Sequence, residues 1–195
     1  MSQKGTPRFD RIRPLIALAL AAILLAPGAG EAQSFAMPGE ALVTAGMSHS
    51  LSVFHPGSVG YVAITAEIAA GWHINAAKPL ESYLIPTVLE VNAPPGIEIV
   101  RLLYPEPVLR KLEISESEMA LYDGVAVFGA IVRIGADLAP GAYRLTATLS
   151  YQGCNDLTCV EPASAAADDT IRVGTLDEGV EQLDAELFSK PPFAG

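Results

Sequence analysis

Apolar and polar side chains alternate with period two through much of residues 49–174, and Gly and Pro recur between the alternating runs. Half of the chain is hydrophobic and only 17% is charged. Together these observations predict an all-β sandwich rather than a disordered or helical chain. The length of 195 residues suits one domain with extensions. A net charge of −10 and an isoelectric point near 4.6 leave no basic surface to release counterions from nucleic acid, so a nucleic-acid partner is excluded.

The elements follow in chain order. Residues 1–32 read as a secretory signal peptide. Lys4, Arg8, Arg11 and Arg13 make a basic start, and Leu15 to Ala26 is an unbroken apolar run. Pro27, Gly28 and Gly30 then break any helix. Small residues at Gly30 and Ala32 predict cleavage before Gln33. Twelve apolar residues fall short of a bilayer core of about 30 Å, so no stable membrane insertion is expected after cleavage. No cysteine lies near the cut, so a lipid-anchored form is not expected. Losing this segment leaves eight basic and twenty acidic residues, a net charge of −12. An exported, periplasmic protein is expected, in a compartment that permits disulfides.

Residues 33–48 read as a lead-in, and 49–174 as the sandwich. A first strand is expected at 49–55. Val62, Ile64, Ala66 and Ile68 then alternate with Tyr61, Ala63, Thr65 and Glu67. Pro86 to Val91 and Ile97 to Tyr104 are two short runs around the turn Ala93-Pro94-Pro95-Gly96. Val125 to Ile134 is long and mostly apolar, as a central strand should be. In Gly141 to Gln152, Tyr143, Leu145, Ala147, Leu149 and Tyr151 face one way and their polar neighbours the other. Thr170 to Val173 closes a set of seven strands. That count and spacing predict an immunoglobulin-like β-sandwich. In the tail, 175–195, Leu176, Val180, Leu183 and Leu187 fall at helical spacing behind the capping-box-like Thr175-Leu176-Asp177-Glu178, which predicts a short helix over 176–188.

The chain has two cysteines, Cys154 and Cys159, in Gly153-Cys154-Asn155-Asp156-Leu157-Thr158-Cys159, directly after the clearest strand. A disulfide here would close a small ring, stabilising the fold by about 2 kcal/mol, against about 4.7 for a hundred-residue loop. Thiol–disulfide exchange needs a reachable sulfur and a second thiol nearby, and a pair on one loop supplies both. Asp156 and Glu161 disfavour a thiolate, which suits a pair that awaits a partner's activated thiol. Spacing alone leaves the structural and redox roles equally open.

The segment Leu149 to Pro162, with Tyr151-Gln152-Gly153-Cys154 ahead of a short loop to Cys159 and Pro162, resembles the active-site segment of the N-terminal periplasmic domain of the thiol:disulfide interchange protein DsbD. Gly71-Trp72-His73-Ile74-Asn75 with Pro79 and Pro86-Thr87, and Tyr104-Pro105-Glu106-Pro107 with Leu121-Tyr122-Asp123-Gly124, resemble two further blocks of that family in the same order. The resemblance spans about residues 50–174. It implies an immunoglobulin-like domain whose catalytic disulfide joins Cys154 and Cys159, with Cys159 forming the mixed disulfide and Cys154 resolving it. Tyr151, Gln152 and Asp156 would support the pair.

It also implies a cap loop between Tyr104 and Tyr122, with Tyr104, Glu106, Leu109 and Tyr122 as candidates; the segment Glu106 to Glu113 lacks the Phe-Tyr pair of some members. The implied partners are periplasmic thioredoxin-like proteins and a membrane electron donor of the DsbD or CcdA type, with no cofactor. Complete DsbD proteins continue into a membrane domain and a thioredoxin-like domain, so the sequence is read as a stand-alone exported version. Because those domains do not follow, a non-enzymatic binding or assembly module with a structural loop disulfide is the alternative.

Other residues carry weaker signals. Trp72 reads as core and His73 as a satisfied strand residue. Met47, His49 and His55 lack the tight spacing of a copper site, so no metal is expected. Glu113, Glu116 and Glu118 read as a solvated face able to steer a basic partner.

Overall fold

The computed structural model describes residues 41–194, so the expected signal peptide and the first half of the lead-in lie outside the described residues. Three antiparallel sheets build the domain. The first orders its strands β1 (Val43–His49), β2 (Val59–Ile68), β8 (Val125–Ile134) and β5 (Ile97–Leu103). The second runs β11 (Ala163–Val173), β9 (Gly141–Tyr151), β4 (Val88–Asn92). The third is small: β10 (Gly153–Cys154), β3 (His73–Asn75), β7 (Met119–Tyr122), β6 (Val108–Arg110). The result is the expected immunoglobulin-like sandwich.

Alternation sets which side chains meet between the sheets. From β2, Val62, Ile64 and Ala66 point inward; Phe128, Ala130 and Val132 do so from β8, and Leu145, Ala147 and Leu149 from β9. All are nearly or fully buried. The pairing of β2 with β8 runs from Val59↔Arg133 to Glu67↔Val125, and that of β9 with β11 from Gly141↔Val173 to Tyr151↔Ala163. Register errors are costly here, because a one-residue slip would turn every core side chain outward.

The first strand differs from the expectation of 49–55. It is Val43–His49, inside the presumed lead-in, and pairs with β2 from Val43↔Ile68 to His49↔Val62. Ala45, Gly46 and Ser48 carry little β propensity of their own; the strand forms because β2 offers it an edge. Past His49, residues 50–55 make only isolated bridges, at Leu51 and Phe54. The closing strand is longer than 170–173, starting at Ala163, so residues 152–162 form the whole connection between two paired strands.

The tail helix is corrected as well. Only Ala185–Phe188 is helical, and Leu176 and Val180 are 75% and 43% exposed. The Glu178 carboxylate does accept the Thr175 N–H, at 2.8 Å, but it also pairs with Arg172 on β11, closing a turn instead of starting a helix. The Ser52 N–H then donates to the Glu181 carbonyl and the Leu183 N–H to the Ser50 carbonyl, which holds 181–183 extended. The tail docks through Phe188 and Phe193, which pack on Tyr61, Ala63 and Leu103 over the outer face of the first sheet. Gly129 makes this approach possible, since a Cβ there would overlap the Phe193 ring. Among the described residues no helix is long and apolar enough to cross a membrane.

Candidate active site

The clearest strand, β9, ends at Tyr151 and delivers the chain to a second sheet. The Gln152 carbonyl accepts the Asn75 N–H at 3.2 Å, after which β10 pairs with β3 as Gly153↔Ile74 and Cys154↔His73. Gly153 is needed for this handover. The space a side chain would take is filled by Leu42, so the glycine gives room to a neighbour and not to the sulfur.

Beyond Cys154 the chain folds back on itself. The Asn155 side-chain oxygen accepts the N–H groups of Leu157 and Thr158, both at 2.9 Å, an Asx turn. The Asn155 N–H donates to the Thr158 carbonyl and the Val160 N–H to the Gly153 carbonyl. This turn brings the two cysteines opposite one another, and they are joined as a disulfide.

The two sulfurs live in different surroundings. Cys154 is fully buried, among Leu112, Met119 and Leu121, whereas Cys159 is half-buried and packs on the edge of that cluster with Leu84. Strand β7 explains the cluster. Its alternation sends Met119 and Leu121 toward the disulfide, and Ala120 and Tyr122 into the main core. Leu112 comes from the loop between β6 and β7, is 3% exposed, and closes over Cys154. One bond ties that loop to the cysteine ring: the Glu113 N–H donates to the Asp156 carboxylate at 3.4 Å.

A family model described as the N-terminal part of the thiol:disulfide interchange protein DsbD matches residues 41–170. The chain belongs to this family. Solved structures similar to it include the N-terminal periplasmic domain of ScsB from Proteus mirabilis, at 14% identity and a TM-score of 0.42, with 67% of this chain and 47% of that chain covered. The chain thus spans about half of that ScsB structure. The DsbD N-terminal domain of Neisseria meningitidis in its reduced form is 19% identical, with 70% and 89% covered and a TM-score of 0.33. The same domain in complex with the PilB N-terminal domain is 19% identical, with 65% and 80% covered and a TM-score of 0.35. Comparison with curated proteins found no match.

The DsbD-like residues named from sequence fall in different places. Tyr151 is a core residue, 3% exposed, and burial pushes its phenol pKa up, against the opposing effect of a hydrogen bond with the Val43 backbone. Gln152 braces the ring, donating its amide to the Val160 carbonyl at 3.2 Å and accepting from Asn75 at 3.4 Å. Asp156 is exposed and carries the loop bond. Glu106 is exposed and lines two surface cavities, and Leu109 is 57% exposed beside the loop.

Tyr104 and Tyr122 do not cover the disulfide. Both rings stand edge-on to Phe128, with centroids 5.9 and 5.2 Å away. The Tyr104 hydroxyl accepts the Leu89 N–H and the Tyr122 hydroxyl the Ala77 N–H. Burial raises the Tyr122 pKa; nearby Tyr104 and Glu106 add to this, and the Ala77 N–H opposes it.

Sequence reasoning missed Leu112 and Leu84, which lie in stretches without a period to mark a buried face. It also read His73 as satisfied. Its Nδ1 is buried without a hydrogen-bond partner, 3.8 Å from the Asp123 carboxylate. Trp72 is half-buried against the main core. The other two histidines are engaged elsewhere, His49 with Asp169 at 2.5 Å and His55 with the Glu178 carbonyl at 3.1 Å. Among the described residues no three His, Cys, Asp or Glu side chains converge as a metal site. Glu113, Glu116 and Glu118 are all exposed.

Proposed function

We propose that this protein is a periplasmic thiol–disulfide interchange domain that passes electron pairs through Cys154 and Cys159 to thioredoxin-like partners. The observation that carries the reading is the unequal disulfide, with Cys154 buried and Cys159 at the surface, in a chain of the DsbD N-terminal family. Residues 1–32 act as the export signal, and a membrane protein of the DsbD or CcdA type recharges the pair.

In the reduced domain, the Cys159 thiolate attacks a sulfur of the partner's disulfide, forming a mixed disulfide and releasing one partner thiolate. Cys154 loses its proton and attacks Cys159 Sγ, which re-forms the internal disulfide and releases the second partner thiolate. Two electrons and two protons reach the partner. Recharging is the reverse: a donor thiolate attacks Cys159, Cys154 leaves, and the donor's second thiol resolves the intermediate. Carboxylates at Asp156 and Glu161 disfavour a free thiolate, so the pair reacts faster within a docked complex than with small thiols in solution.

The test equilibrates the purified protein in dithiothreitol and glutathione redox buffers and counts free thiols. A reversible two-electron couple is expected. A disulfide that stays closed in every buffer that leaves the fold intact, or one that cannot re-form, removes the reading.

The cap loop acts as a shield on the same site. Shortening its covering side chain, Leu112→Ala, removes about 2 kcal/mol of burial and raises the population open to attack about 30-fold. Because Leu112 covers Cys154, the rate at which iodoacetamide alkylates the lone Cys154 thiol in a Cys159→Ala background is expected to rise by that factor. An unchanged rate would show that Leu112 is not what restricts access.

A further inference from the structure

Resting on the exchange reaction above, we propose that His73 is the proton acceptor and donor for Cys154. The chemistry requires one. Cys154 must ionise to resolve the mixed disulfide and must regain a proton after it leaves as a thiolate. It sits fully buried among Leu112, Met119 and Leu121, where water is excluded and an apolar setting opposes the thiolate.

The topology puts an imidazole beside it. In the sheet order β10-β3-β7, His73 is the cross-strand partner of Cys154. Side chains of such a pair rise on the same face, with Cβ atoms about 5 Å apart. The alternation agrees, since Ile74 enters the main core and Cys154 joins the outer cluster. On the other side of His73, β3 pairs with β7 as Ile74↔Tyr122, which brings Asp123 alongside. The Asp123 carboxylate lies 3.8 Å from Nδ1 of His73 and is held by Arg110 at 2.6 Å. His73 is 18% exposed and lines a cavity of about 360 Å³ with Leu109, Arg110, Lys111, Leu112 and Asp156. The imidazole thus shares a sheet face with the buried sulfur and lines a cavity at the surface. Asp123 and Asp156 face it as anions, and Arg110 and Lys111 as cations.

The step balances. Neutral His73 takes the Cys154 proton, the Cys154 thiolate attacks Cys159 Sγ, the departing thiolate takes a proton from solvent, and the imidazolium returns its proton to solvent through the cavity. Imidazole is the side chain suited to such an exchange near neutral pH.

The test uses the reduced, purified protein and glutathione disulfide, with acid quenching and mass spectrometry to follow the Cys159–glutathione mixed disulfide. In His73→Ala and His73→Gln its lifetime is expected to lengthen at least ~10-fold near neutral pH, while its rate of formation is unchanged. The resolution rate of both variants should keep rising with pH as the Cys154 thiol itself ionises. Added imidazole, which the cavity can admit, should restore the rate in His73→Ala. Equal lifetimes in parent and variants would overturn the proposal. So would a longer lifetime with the parent's pH profile and no imidazole rescue, because it would mean that His73 only packs. If His73→Ala does not fold, the pH profile of His73→Gln decides. A parent that never resolves the mixed disulfide would instead refute the exchange reaction itself, and the proposal with it.

Discussion

Cys154→Ala is expected to accumulate as a mixed disulfide with a thioredoxin-like partner, while Cys159→Ala is trapped far more slowly. The reason is access. In Cys154→Ala the remaining sulfur is the half-buried one on the surface ring, and no neighbouring thiol resolves what it forms. In Cys159→Ala the remaining sulfur lies under Leu112, Met119 and Leu121 and is reachable only after the cap opens. If opening costs the burial of one leucine, about 2 kcal/mol, the two trapping rates differ about 30-fold. Stability does not confound the comparison. Each variant loses the same small disulfide ring, worth about 2 kcal/mol, so both should unfold at similar urea concentrations. Trapping with a single-cysteine thioredoxin activated as its mixed disulfide with thionitrobenzoate, which leaves as the thiolate when the domain's sulfur attacks, measures the ratio on non-reducing gels. Equal trapping, or faster trapping through Cys154, would reverse the assignment of attacker and resolver. If neither variant is trapped while the parent exchanges freely, the mixed disulfide forms by another route.

Phe128→Ala should be the most destabilising single truncation in the core, by about 4 kcal/mol. Phe128 is fully buried on the central strand β8, and the rings of Tyr104 and Tyr122 stand edge-on against it at interplanar angles of 86° and 85°. Edge-to-face pairs of this kind add to the burial itself. The loss would also loosen two hydroxyls that hold backbone N–H groups, of Leu89 on β4 and of Ala77 just after β3. A domain of this size is stable by only about 5–15 kcal/mol, so urea unfolding should show a large fall in midpoint. Phe128→Leu, which refills part of the cavity, should recover a good share of the loss. A fall below about 1.5 kcal/mol for Phe128→Ala would mean that the site collapses to fill the void.

The parts of the fold that could be read in advance are those whose pattern is local. Strand β9 shows one face of Tyr143, Leu145, Ala147, Leu149 and Tyr151, and the structure buries the last four positions of that face most deeply. Strand β8 matches its expected bounds of 125–134. Strands β3, β7 and β10 were not legible, because two to four residues carry no period to detect. They exist because the β9–β11 connection must pair with something as it leaves its sheet. The helical reading of 176–188 failed for a related reason. Spacing showed that a stripe could form, but the backbone groups of Glu181 and Leu183 found partners on Ser52 and Ser50 first.

The site divides the same way. Two cysteines five positions apart, with Gln152 and Asp156 around them, stand out in the sequence as the only place for sulfur chemistry. The cap candidates Tyr104 and Tyr122 turn their rings toward Phe128; for Tyr122 the reason is that a strand presents alternate faces. Tyr122 and Leu121 are neighbours in the chain, but only Leu121 faces the disulfide.

Composition and alternation, being properties of adjacent residues, were enough to establish an all-β chain with a single sulfur pair at a strand end. Which sulfur is covered, by Leu112 from a remote loop, and which titratable side chain lies across from it, His73 on a three-residue strand, were settled by contacts between distant segments. Such contacts come into being when the sheets close, and no local pattern encodes them.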